Sequence, residues 1–173
     1  VTQAFNTPSS MGRLTLNALL SFAQFEREVT GERIRDKIAA SKKKGMWMGG
    51  FPPIGYDAVD RKLIVHTQEA KTVKHIFERY IELGSVHRLK EALDAAGIVS
   101  NARKTKAGRV WGSKPFARGA HYAILQNPIY LGKIVHKGKS YPGKHEAIVD
   151  QALWEKVQKT LTAGRVARKN GSG

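Results

Sequence analysis

The residue types that most often carry chemistry are scattered along this chain rather than gathered. The six histidines, His66, His75, His87, His121, His136 and His145, fall far apart. His75 and Glu78 stand at i and i+3, a helical spacing that suits two metal ligands, but no second pair converges on them. They read as surface groups. Ser85 and Ser113 each precede a helical pattern and read as caps, since neither sits in a nucleophile elbow or beside a recognisable base. No phosphate-cradling glycine loop is present. There is no cysteine, which excludes a thiol nucleophile, a disulfide framework and a cysteine-ligated zinc within these residues. No metal and no cofactor are expected. Arg33 stands apart: a guanidinium on a helix can grip a phosphate through two hydrogen bonds. Taken alone, its position beside Glu28 and Glu32 is better read as a solvated ion pair.

The elements that must position such residues carry an uneven charge. The chain has 173 residues, 30 Lys and Arg against 14 Asp and Glu, and a formal net charge of +16. Residues 101–145 hold ten basic side chains and no acidic one, whereas every other stretch is close to balance. A solvated face normally mixes signs, so 45 residues free of carboxylates imply a polyanionic partner, and nucleic acid is the first candidate. The candidate contacts are Lys42, Lys43 and Lys44, then Arg103, Lys104, Lys106, Arg109, Lys114, Arg118 and His121, with Trp47, Gly49 and Gly50 between the two groups. At 41 % hydrophobic and 25 % charged the chain can build a core. It has no apolar run near the roughly 18 residues that span a bilayer, so no membrane partner is expected.

Thr7-Pro8 predicts a helix start, and apolar residues recur at Met11, Leu14, Ala18, Phe22, Phe25 and Val29. Leu16, Leu19, Leu20 and Ala23 widen that stripe, so the first half is expected to be buried on most sides. Nothing stops the helix before Gly45, which makes a rod of roughly 55 Å. Gly45 to Tyr56 excludes helix and reads as an extended connector. Ile54–Val59 and Leu63–His66 predict a hairpin. A helix from Thr67 to Gly84 buries Val73, Ile76, Phe77, Tyr80 and Ile81. A second, capped by Ser85 and closed by Gly97, buries Val86, Leu89, Leu93 and Ala96. A basic loop over 101–112 leads to a third helix begun by Ser113-Lys114-Pro115, with Phe116, Ala120, Ala123 and Ile124 inward and Arg118 and His121 outward. Strands are expected at Ile129–Lys137 and Glu146–Val149, joined by a turn over 138–144, and a last helix at Ala152–Thr162. The fold class is α+β: a long N-terminal helix, then a small mixed domain with a helix-turn-helix-like three-helix core and short β-hairpins.

Thr7-Pro8-Ser9-Ser10-Met11-Gly12-Arg13-Leu14, Phe22-Ala23-Gln24-Phe25-Glu26-Arg27-Glu28 and Glu32-Arg33-Ile34-Arg35-Asp36-Lys37 together resemble the long helix that ends the catalytic domain of serine recombinases, of the resolvase/invertase superfamily. Trp47-Met48-Gly49-Gly50-Phe51-Pro52-Pro53-Ile54-Gly55-Tyr56, Trp111 and Ile124-Leu125-Gln126-Asn127-Pro128-Ile129-Tyr130-Leu131-Gly132 resemble the recombinase domain of the large serine recombinases. The resemblance runs in order over nearly the whole chain. It implies the end of a catalytic domain at 1–45, a connector at 46–56, a DNA-binding recombinase domain at 57–163 and a flexible tail at 164–173.

The resemblance also implies a function: site-specific DNA recombination through a phosphoseryl intermediate, without metal or nucleotide, in which Arg33 belongs to the arginine cluster that stabilises the reacting phosphate. The family's serine motif and its cysteine-paired zinc ribbon are not found in these residues, so the chain alone is expected to be inactive as an enzyme. The implied partners are double-stranded DNA and further copies of the chain, as a homodimer or tetramer through the long helix. The implied location is cytoplasmic and nucleoid-associated, in a bacterium or its phage. Two other readings of the residues remain open here: a non-catalytic helix-turn-helix regulator with a dimerisation helix, and a basic RNA-binding protein with Trp47, Trp111 and Tyr122 as stacking candidates.

Overall fold

The computed structural model describes residues 10–100, 102–104, 108 and 110–170, with the backbone alone for Arg103, Lys104, Trp111 and residues 165–170. The expected start at Thr7-Pro8 lies outside the described residues. The chain divides into two compact units, Val1–Ala40 and Ser41–Gly173.

The first unit consists of most of α1, Ser10–Lys43, a helix of 34 residues. Good helix formers fill it, and the hydroxyls of Thr15 and Ser21 return to the carbonyls of Met11 and Asn17 rather than competing with the backbone. The expected burial of its first half is not observed. Met11, Leu14, Phe22 and Phe25 are all more than 60 % exposed, because a single helix has nothing in its own unit to cover its stripe.

The second unit holds three two-stranded antiparallel sheets and four helices among its described residues. Strands β1, Tyr56–Val59, and β2, Lys62–Val65, pair with Tyr56 opposite Val65. Their two-residue turn places Asp60 and Arg61 at φ of 46° and 60°, the left-handed geometry that a tight hairpin requires. Helix α2, Thr67–Leu83, buries Val73, Ile76, Phe77 and Tyr80, as the 3-4 spacing predicts, and ends at Gly84 with φ 64°. Helix α3, Val86–Ala95, buries Val86, Leu89 and Leu93; Ala96 lies beyond its end and is exposed.

Two expectations fail between α3 and the next helix. The basic loop is a hairpin, β3, Arg103–Lys104, against β4, Val110–Trp111. Helix α4, Arg118–Leu125, then starts three residues later than Pro115, because Pro115 instead bridges to Val99. The later start turns the helix: its buried side is His121, Ile124 and Leu125, and Ala123 is exposed.

Pro128–Leu131 is a 3-10 turn capped by Asn127, whose side chain accepts from the Ile129 amide at 3.2 Å. It replaces the first half of the expected strand. Strand β5, Lys133–His136, pairs with β6, Lys139–Pro142, not with Glu146–Val149, because Lys137 and Gly138 at φ 49° and 76° make a two-residue hairpin turn. Helix α5, Gln151–Asn170, runs past Thr162, and Val157 and Leu161 join the core. Helix α2 packs on α3 and α5, and α3 on α4, so the four helices share one core with Tyr56, Leu63 and Ile134 from the hairpins and Tyr130 from the 3-10 turn.

Gly45 and Gly119 give opposite expectations. A Cβ on Gly45 would lie 2.3 Å from the Pro142 carbonyl oxygen, at φ +74°. Gly45→Ala should therefore lower stability by about 2 kcal/mol. Gly119, inside α4 with open space around it, should gain about 0.5 kcal/mol as alanine. Denaturant melts of the two variants check both signs.

Candidate nucleic-acid interface

The last turn of α1 carries Lys42 and Lys43, cations at the negative end of the helix dipole. Gly45 turns the chain there, and its carbonyl accepts from the Lys144 amide at 2.9 Å, while the Trp47 amide donates to the Arg61 carbonyl at 2.8 Å. The start of the connector is therefore stitched to both flanking hairpins. Its far end is fixed as firmly. The Gly55 amide donates to the buried Glu69 carboxylate at 2.7 Å, and the Tyr56 hydroxyl donates to the Glu146 carbonyl at 2.7 Å. Burial holds the Tyr56 hydroxyl far above its ordinary pKa, so it remains a donor. Between these anchors Gly49 and Gly50, at φ 104° and 94°, are exposed, and so is Phe51.

This arrangement brings together cations that are distant in sequence. A cleft of about 190 Å³ opens between the connector and β5, lined by Lys42, Met46, Trp47, Met48 and Gly49 on one side and Lys133, Ile134 and Val135 on the other. His136 reports the crowding: burial of its ring, and after it the charges of Lys42, Lys137 and Lys43, hold its pKa below the ordinary value. Lys133, Lys137, Lys139 and Lys144 thus join Lys42, Lys43 and Lys44 around one hairpin and one connector. Sequence reasoning counted those four lysines in the charge of residues 101–145 without naming them as contacts. The signal was there, but the register that folds β6 back on β5 was not. Trp47 is half-buried against the core, and its ring N–H is enclosed without a partner among the described residues.

The other candidates are placed apart. Arg118 opens α4 and lines a separate cleft of about 270 Å³ with Gly84, Ser85, Val86, His87 and Tyr122. Lys114 is exposed, at the base of the β3–β4 hairpin. Arg103 and Lys104 form β3, and Lys106 and Arg109 lie outside the described residues. Arg33 is exposed on α1 and has no ion pair among the described residues. His121 corrects the sequence reading. It is 0 % exposed and packed 5.7 Å from the Phe116 ring, with neither ring nitrogen hydrogen-bonded among the described residues. Desolvation lowers its pKa, and the ring is turned into the core rather than outward as the sequence reading expected. Among the described residues no group of three or more histidine or acidic side chains is placed to hold a metal, and no helix is long and apolar enough to cross a membrane.

Residues 67–164 match the family model Recombinase, and residues 1–47 match the model of the resolvase N-terminal domain. Two solved structures share the fold. One is a crystal structure of an LSR–DNA complex, with TM-score 0.64 and 22 % identity, covering 76 % of this chain and 38 % of that one. The other comes from work on the sequence requirements of the Listeria innocua prophage attP site, with TM-score 0.62 and 22 % identity, covering 75 % of this chain and 51 % of that one. This chain thus spans about half or less of either neighbour. Comparison with curated proteins gives no match.

The neutral His121 sets a pH dependence. Unfolded, it binds a proton near pH 6.5; folded, it binds one less readily. Stability is therefore full above about pH 6.5 and falls as the pH drops below it. His136 and His145, also lowered by burial, act in the same direction. His121→Leu should lose less melting temperature between pH 7 and pH 5 than the wild type does. Parallel curves would assign the whole slope to the other two histidines.

Proposed function

The chain belongs to the recombinase family, and from that premise we propose that it is the DNA-reading part of a site-specific serine recombinase, with the closing helix of the catalytic domain attached. One observation carries this reading: Lys42–Lys44 and the acid-free β5–β6 hairpin converge on an anchored connector. Lys42 and Lys133 line the cleft itself, and the other five lysines lie on the connector end and hairpin that border it, so the partner that accepts them is a regular polyanion. Duplex DNA, with one charge per roughly 1.7 Å of axis, supplies that density.

In this proposal residues 1–45 end the catalytic domain, 46–56 are the connector, 57–163 form the DNA-binding domain and 164–173 are the tail that follows it in sequence. Arg33 supplies, on this reading, a guanidinium that stabilises charge building on the scissile phosphate. The attacking serine comes from elsewhere in the enzyme. Its oxygen bonds to the phosphorus as the bond to the 3′ oxygen breaks, leaving a 5′-phosphoserine ester and a free 3′-hydroxyl. Attack by a 3′-hydroxyl on that ester rejoins the strand and releases the serine. No metal or nucleotide is needed for that chemistry. The exposed apolar stripe of α1 is the surface through which copies join as dimers or tetramers on DNA. Such an enzyme works in the cytoplasm of a bacterium, on the nucleoid or on phage DNA. A regulator with a dimerisation helix has no use for Glu32-Arg33 ahead of the lysines, and the family match disfavours it.

Binding of the chain to a random duplex should weaken steeply between 50 and 200 mM salt, on the order of a hundredfold or more. Replacing Lys42, Lys43 and Lys44 by alanine should weaken binding to all duplexes alike and flatten the salt slope by about one unit for each phosphate no longer engaged. A flat salt response of the wild type would refute the DNA reading. Arg33→Ala, placed in the complete enzyme, should abolish strand cleavage and leave duplex binding unchanged in a gel-shift titration; normal cleavage would remove Arg33 from the mechanism.

A further inference from the structure

We propose that Phe51 is an apolar wedge that enters a step between two stacked base pairs when the lysine cleft grips a DNA duplex. The inference rests on the DNA reading above and deepens it by adding a contact to the bases that the lysines do not make.

The connector hides every other large apolar side chain it carries. Met46, Trp47, Met48, Pro52, Pro53 and Ile54 are all partly buried, and Tyr56 is fully so. Trp47 and Ile54 pack on the core, and Pro53 lines the cleft with Lys42 and Lys133. Phe51 alone is left out, at 58 % exposed. Gly49 and Pro53 both line the cleft, so Phe51 stands at the tip of a loop whose two legs form the rim. The loop is built to hold that position. Gly49 and Gly50 take φ of 104° and 94°, a backbone that residues with a side chain rarely adopt. A Cβ placed on Gly50 would lie 4.0 Å from the Trp47 ring, so the turn rests against that ring. Pro52 and Pro53 follow, each with its φ fixed by its own ring. On either side the chain is tied down, through the Trp47 amide on the Arg61 carbonyl and the Gly55 amide on the Glu69 carboxylate. A side chain presented from such a loop loses little freedom on binding.

The surroundings of the ring decide what it meets. Residues 41–56 carry three lysines and no carboxylate, and Lys133, Lys137 and Lys139 of the β5–β6 hairpin border the same cleft. A second copy of the chain would set like charge against like. A stable protein interface also buries about 1,200–2,000 Å², whereas one aromatic ring contributes roughly 150–250 Å². A duplex held by its phosphates satisfies both conditions. It neutralises the lysines, and the faces of its base pairs lie within reach of a side chain that stands proud of the grip. Phenylalanine is one of the few side chains that part a base step in this way. Unstacking costs least at pyrimidine–purine steps and most in stiff A-tracts, so the wedge gives a sequence preference without a hydrogen bond to any base.

The test uses the 173-residue chain and two short duplexes, an A-tract and the same tract interrupted by one central TA step. The wild type should favour the interrupted duplex by on the order of tenfold, and Phe51→Ala should bind both alike. The variant should keep the wild-type salt slope, because no phosphate contact is lost, and the wild-type melting temperature, because the ring is outside the core. Phe51→Trp should restore the preference. A 2-aminopurine in the central step should brighten when the wild type binds and stay dark with Phe51→Ala. A preference that survives Phe51→Ala would overturn the wedge, as would a wild type that binds both duplexes equally or leaves the 2-aminopurine dark. A wild type that binds neither duplex would instead bring down the DNA reading itself.

Discussion

A buried column of rings holds the second unit together. Tyr56 of β1 lies 6.1 Å from Tyr130 of the 3-10 turn, Tyr130 lies 5.9 Å from Phe77 of α2, and Phe77 lies 5.9 Å from Trp154 of α5. Four segments far apart in the chain meet in that stack. Tyr56 adds direction to it. Its hydroxyl bonds to the Glu146 carbonyl and its ring receives the edge of His145, whose ring N–H donates to the Ile129 carbonyl at 2.8 Å. The column therefore fixes the β1–β2 hairpin, the approach to β5 and the segment after β6 in one operation. Lys133, Lys137, Lys139 and Lys144 of the proposed interface lie on or beside these pieces.

That dependence answers an electrostatic difficulty. Residues 101–145 carry ten positive side chains with no carboxylate among them, and such a stretch repels itself when compacted. The fold spreads the charge over two hairpins and the loops beside them and gives the intervening residues, Phe116, Ile124, Leu125, Ile129, Tyr130 and Ile134, to the core. Acidic side chains collect elsewhere, on the outward faces of α2 and α3, where they pair locally with Arg79, His87 and Lys90. The basic surfaces are left uncompensated. In the proposed DNA complex, release of counterions from the duplex would offset the repulsion that folding has accepted.

What could be read from the sequence followed the strength of the periodic signal. Helix α2 shows four buried positions at 3-4 spacing and a glycine stop, and it was legible to the residue at both ends. Helix α4 is eight residues long and flanked by proline and serine that look like a cap. Its phase was set instead by the Val99–Pro115 bridge, which joins segments separated by the β3–β4 hairpin, and no local pattern encodes that. The error had a functional cost, because it placed His121 outside. The β5–β6 register was missed for a related reason. Lys-Gly is a weaker hairpin signal than Asn-Gly, and the long run of polar residues to His145 hid where the chain turned back. The charge pattern was the reverse case: it survived every mistake about elements, since it depends on composition alone.

The anchored connector changes how the lysines after α1 should be understood. A glycine- and proline-rich stretch between two domains invites the picture of a flexible tether, with Lys42–Lys44 at the tip of a helix on one side of it. The hydrogen bonds argue otherwise. Gly45 and Trp47 are bonded to Lys144 and Arg61, and Gly55 and Tyr56 to Glu69 and Glu146, so both ends of the stretch belong to the second unit. Ser41 to Lys44 group with that unit as well. Only the short run around Gly49 and Gly50 is free of such ties, and its positive φ values at two successive glycines define a turn that most residues would resist. The lysines are thus held at fixed positions relative to β5 and β6. A preformed cationic cleft loses less conformational entropy on meeting a phosphate backbone than a tether would, so the anchoring of the connector and the clustering of the lysines serve the same proposed contact.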